Sequence, residues 1–136
     1  MLAAVVAAAV ALVGWGGSSA PRAAQAVPGR LPACASVPAR VAVPRGWTVP
    51  LPRGTVVTRV DSTAIRQVIG YAPMSYADAV GYFRETFPKL GYRIGSGDAE
   101  MDEAEADFAG HGTRGRWRIN ALTNCPGATL VTVAAG

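Results

Sequence analysis

Three groups of residues have the chemical character to act on something: the single histidine, His111; the two cysteines, Cys34 and Cys125; and six acids within residues 98–107, DAEMDEAEAD. A Ser/His/Asp or Cys/His apparatus needs an imidazole held by packing beside its nucleophile. His111 lies between Gly110 and Gly112, a poor place to hold one, so it reads as a turn residue. The stretch 110–115, GHGTRG, is glycine-rich but lacks the Gly-Lys-Ser/Thr spacing of a phosphate loop and precedes a strand rather than a helix. Carboxylates at alternate positions can wrap calcium or another hard cation, yet residues 98–107 lack the Gly and the closing Glu of an EF-hand loop. Glycosidase chemistry would need two carboxylates facing across a cleft, and no cleft is indicated.

The acids read more informatively as one side of a hairpin. Glu103, Glu105 and Asp107 alternate with Ala104, Ala106 and Phe108, while Arg114, Arg116 and Arg118 alternate with Gly115, Trp117 and Ile119. A two-residue turn with Gly110 and His111 at its centre, type II′ with glycine first, predicts the pairs Asp107 with Arg114, Glu105 with Arg116 and Glu103 with Arg118. That register puts acid opposite base on one face and gathers the apolar residues on the other, and a slip by one residue would ruin both. Each exposed pair contributes about 0.2 to 1 kcal/mol, so such a ladder sets register more than stability.

The cysteines raise the question of compartment. Residues 2–13 form an apolar Ala/Val-rich run, too short for the ~20 residues of a bilayer-spanning helix and suited to the core of a signal peptide spanning residues 1–26. Ala24-Gln25-Ala26 supplies a cleavage pattern that leaves Val27 first. No Lys or Arg precedes the run, and an uncleaved membrane anchor is the alternative. In an oxidising compartment Cys34 and Cys125 are expected to form a disulfide, which by the chain-entropy model stabilises by roughly 4 to 5 kcal/mol. The competing reading takes Leu31-Pro32-Ala33-Cys34 as a lipoprotein signal with a lipid on Cys34, and it would leave Cys125 without its partner. The expected location is therefore secreted or extracytoplasmic.

After cleavage, twelve basic residues stand against nine acidic ones, a mild net +3. The arginines are scattered without interleaved aromatics, which argues against a nucleic-acid surface.

Elements follow from spacing. Tyr76, Val80, Phe83, Phe87 and Leu90 fall on one stripe of a helix over residues 75–91, opened by Ser75 with Asp78 and closed by Gly91. Gly81 and Pro88 interrupt it, and a kink is expected at Pro88. Residues 27–54 carry six prolines and read as an extended arm, pinned by Cys34 and docked by Trp47 over a sheet edge or the sheet's second face.

The domain proper spans residues 55–136. Residues 56–60 and 65–69 are predicted strands, with Val60 paired to Ile65 and Val56 to Ile69. Further strands start at residue 92, form the acidic/arginine hairpin, and end the chain at 128–134. The fold class is α+β, a single helix on one face of a mostly antiparallel sheet in the order β-β-α-β-β-β-β.

Through Leu51-Pro52-Arg53-Gly54-Thr55, Gly91-Tyr92, Gly115-Arg116-Trp117-Arg118 and Cys125-Pro126-Gly127, the chain resembles small exported actinobacterial proteins, secreted proteins and lipoproteins of unknown function, over roughly residues 50–134. The resemblance implies export and this fold and transfers no catalytic residue. The functional expectation is a non-enzymatic cell-envelope or extracellular binding or accessory module with an extracytoplasmic partner. It involves no cofactor, no nucleic acid and no membrane span after signal removal, and no catalytic, cofactor or metal residue is assigned. The alternatives are a carrier of a small apolar ligand held under Tyr76, Phe83 and Phe87, and a secreted enzyme inhibitor.

Overall fold

The structure, a computed structural model, describes residues 29–136; the expected signal peptide and its cleavage point lie outside the described residues. Six strands form one antiparallel sheet: β1 Val56–Asp61, β2 Arg66–Ala72, β3 Arg93–Ala99, β4 Glu103–Gly110, β5 Thr113–Ala121 and β6 Thr129–Ala135, in the order β1-β2-β6-β5-β4-β3. One helical segment connects β2 to β3 and covers one face, as the sequence implies. Strand β6, last in the chain, lies between β2 and β5. Its alternate residues Thr129, Val131, Val133 and Ala135 are all buried, as a strand with one face on the core requires. Buried Thr129 meets its hydroxyl's need for a partner by donating Oγ1–H to the Met74 carbonyl at 2.9 Å.

The helical segment starts where Ser75 caps it: its Oγ accepts from the Asp78 amide at 3.1 Å and donates to Asp78 Oδ2 at 2.8 Å. It comprises α1 Tyr76–Gly81, a π-helical turn Tyr82–Thr86, and α2 Phe87–Lys89. Pro88 has no N–H for the Arg84 carbonyl, and its ring crowds that carbonyl. The chain widens just before it, and the Phe87 amide reaches back to the Tyr82 carbonyl. The interruption expected at Pro88 is thus a π turn.

The segment closes in a Schellman arrangement. The Tyr92 amide donates to the Phe87 carbonyl at 3.2 Å and the Gly91 amide to the Pro88 carbonyl at 3.0 Å, with Gly91 at φ 94°. The widening takes the chain out of α-helical phase before Leu90, which the stripe placed in the core and which is 43% exposed. Tyr92 fills that position, stacked on Phe87 with ring centroids 4.4 Å apart.

The core forms where this segment meets β4 and β5. Phe83 and Phe87 are wholly buried. Phe83 stacks on Trp117 at 4.9 Å, and Phe87 meets Phe108 edge to face at 5.3 Å. Burying each such ring stabilises by about 1.5 to 3 kcal/mol on area grounds.

One expectation is corrected and one is decided between its alternatives. The β1–β2 pairing is Val60 with Val68 and Val56 with Tyr71, with a bulge between Val57 and Arg59, not Val60 with Ile65 and Val56 with Ile69. Strand β2 is interior to the sheet, so its register answers to β6 as well. Val68 and Gly70 face Val133 and Val131 there, which puts Val68 in the core and leaves Ile65 in the turn, 57% exposed.

Of the two places expected for the arm, a sheet edge or the second face, it takes the edge. Its Val41 amide donates to the Val57 carbonyl on the β1 edge at 2.8 Å. Val49 then enters the same buried cluster as Phe83 and Trp117, with Trp47 and Leu51 packed against it. The reason is area: the short helical segment lies over β4 and β5, and apolar side chains of the arm complete the same layer. The disulfide Cys34–Cys125 is present, with Cα atoms 5.4 Å apart.

Candidate functional site

The face of the sheet away from the helix carries the charged side chains. Alternation along β4 and β5 sends Glu103, Glu105, Asp107, Arg116 and Arg118 to that side, while Ala104, Ala106, Phe108, Trp117 and Ile119 are buried on the other. The cross-strand pairs are Asp107 with Arg116, Glu105 with Arg118, Glu103 with Asn120 and Ala109 with Arg114. The register differs by two residues from the expected one, because the turn is centred on His111-Gly112 rather than Gly110-His111. Both central residues have positive φ, 52° and 72°, as a type I′ turn demands.

A shift of two preserves parity, so acid still meets base. Packing selects it. Phe108 now lies opposite Gly115, where a Cβ would come within 2.8 Å of the Phe108 ring, so only glycine leaves room for the phenyl group.

The ladder is continuous. Arg116 donates Nε–H to Asp107 at 2.8 Å and Nη1–H to Glu105 at 2.8 Å. Arg118 donates Nε–H and Nη2–H to the other Glu105 oxygen at 2.9 and 2.6 Å. Asn120 donates to Glu103 at 2.6 Å. The hydrogen bond from Arg116 holds the Asp107 carboxyl below its usual range. The acids of β4 are therefore engaged by side chains of β5, and among the described residues no group of three or more His, Cys, Asp or Glu side chains is placed to hold a metal ion. Asp98, on β3, faces Glu105.

His111 does more than turn the chain. Its Nε2 lies 2.7 Å from the Leu90 carbonyl oxygen, and since a carbonyl only accepts, Nε2–H is the donor. The ring also packs edge-on to Tyr92 at 5.0 Å. A hairpin tip thus caps the C-terminal end of the helical segment, a role that glycine neighbours in the sequence do not announce. Nearby, burial pushes the Tyr82 hydroxyl up to about 12, with Tyr92 adding to the effect.

Of the space expected as a ligand cavity on one alternative reading, the part under Phe83 and Phe87 is filled by Trp117 and Tyr92, while Tyr76 borders a separate hollow of about 330 Å³ with Ala77 and Leu122. An open groove of about 670 Å³ lies instead at one end of the sheet, lined by Ile65, Phe108, Arg114 and Ala134 among others. Arg114 makes no ion pair among the described residues. Comparison of the chain with family models, curated proteins and solved structures finds no match.

Proposed function

We propose that the chain is an exported, non-enzymatic binding or accessory module of the cell envelope or the extracellular space, like the small exported actinobacterial proteins it resembles. The observation that carries this reading is what its reactive side chains do: His111 caps a helix end, the β4 acids bind arginines, and Cys34 and Cys125 bind each other. The disulfide fits an oxidising compartment. Among the described residues no helix is long and apolar enough to cross a membrane.

The test is the intact mass of the native protein from culture medium and from membranes, before and after reduction. A soluble species beginning at Val27 and lighter by two hydrogens before reduction supports the reading. A membrane species acylated at Cys34 overturns the soluble form of it, and a hydrolytic activity abolished by His111→Ala overturns the non-enzymatic part.

A second reading, carriage of a small apolar ligand, is favoured by the groove lined by Ile65, Phe108 and Arg114, where an exposed aliphatic side chain stands beside an arginine that makes no ion pair among the described residues. Titration calorimetry with dodecanoate tests it. Saturable binding lost in Ile65→Asp supports it, and no binding up to the solubility limit removes it.

A further inference from the structure

The two edges of the sheet are treated differently. Strand β1 is shielded by the arm, through the Val41 amide on the Val57 carbonyl. Among the described residues strand β3 pairs only with β4, and six of its seven residues are exposed. An edge of this kind presents unpaired N–H and C=O groups to any strand that can match it.

The side chains on β3 say which strand that is. A register shift between Ile94 and Gly97 places an extra residue in β3. Arg93 faces Ala109 and Asp98 faces Glu105, so both lie on the open face although they are an odd number of residues apart. Neither makes an ion pair among the described residues, and Asp98 lies opposite an acid. The nearest base on its own sheet, Arg116, feels the Asp98 charge but spends its guanidinium on Asp107 and Glu105.

We propose that β3 is a homodimerisation edge that pairs antiparallel with β3 of a second copy, Arg93 opposite Asp98 and Asp98 opposite Arg93. A twofold axis between Gly95 and Ser96 generates both ion pairs at once, as an isologous interface requires. The same register sets Ile94, half-buried on the helix side, against Gly97 of the second copy, so one copy's apolar side chain covers a position with no side chain in the other. At the centre stand Gly95, with no side chain, and Ser96, with a small one, which lets two backbones approach. Main-chain hydrogen bonds supply the attachment and the two charges select the partner and its register. The bulge is what makes the edge self-complementary, since without it Arg93 and Asp98 would lie on opposite faces.

Sedimentation velocity of the disulfide-bonded protein across a concentration series tests the proposal. The expected result is a reversible dimer. Arg93→Asp and Asp98→Arg, each a charge reversal on an exposed edge, are each expected to be monomeric with unchanged circular dichroism. An equimolar mixture of the two restores complementarity and is expected to sediment as a dimer. A wild-type protein that stays monomeric at all concentrations overturns the proposal. So does a dimer that persists in both single variants, or a mixture that remains monomeric.

Discussion

His111 holds the left-handed backbone of the hairpin turn and donates to the Leu90 carbonyl, two roles that substitutions can separate. Asn adopts the left-handed region readily and suits a turn followed by glycine, whereas Ala does neither and cannot donate. In urea unfolding, His111→Ala is expected to lose about 1 to 2 kcal/mol and His111→Asn about 1 kcal/mol or less, the latter reporting the ring's contacts with Leu90 and Tyr92 without the turn. Equal losses would mean that the turn conformation contributes nothing. At Asp107 the bond from Arg116 lowers the folded-state pKa below the ordinary 3.8. Its contribution is therefore complete above that unfolded value and disappears as pH falls through the lowered one. Asp107→Asn is expected to flatten the acid limb of the stability profile and leave the neutral-to-alkaline limb unchanged, read from urea midpoints over about pH 2 to 8.

At the scale of elements, the charge alternation on β4 and β5 was legible in the sequence, down to which residues face solvent. The turn centre was not, because the choice between Gly110-His111 and His111-Gly112 keeps every acid on the basic face and is decided by Phe108 needing Gly115 opposite it. Gly115 is consequently a position where a single methyl is costly, since a Cβ there would collide with the Ala134 carbonyl as well as the Phe108 ring. Gly115→Ala is expected to destabilise by about 1 to 3 kcal/mol, as overpacking does. Gly112→Ala, whose Cβ would meet nothing within 4 Å, is expected to cost only its backbone strain, about 1 kcal/mol. Comparing the two thermal midpoints checks the assignment. The helix stripe was likewise readable through Phe87 and failed at Leu90, because periodicity assumes one helical phase and the π turn changes it.

For the whole molecule, the disulfide ties the arm to the turn before β6 over a sequence separation of 91 residues, and it acts chiefly on the unfolded chain. Cys34→Ser with Cys125→Ser is expected to lower stability by roughly 4 to 5 kcal/mol. The same pair of substitutions should steepen the denaturant dependence, because an unlinked unfolded chain exposes more surface. An unchanged midpoint would show that the arm's packing through Trp47, Val49 and Leu51 suffices.

The sequence by itself determined the local matters: the six strands and the helical segment in order, the cap at Ser75, the closure at Gly91, the acid/base alternation and the cysteine pairing. Each depends on propensity, on a period of two or of 3.6, or on the count of two cysteines. Tertiary structure alone decided the rest. It placed the last strand in the centre of the sheet, set the β1–β2 register through β6, and drew the arm into the helix-side core. It also carried His111 to a helix end 21 residues away in the chain. These depend on which surfaces meet in space, and no periodicity within a single segment encodes its neighbour across the sheet.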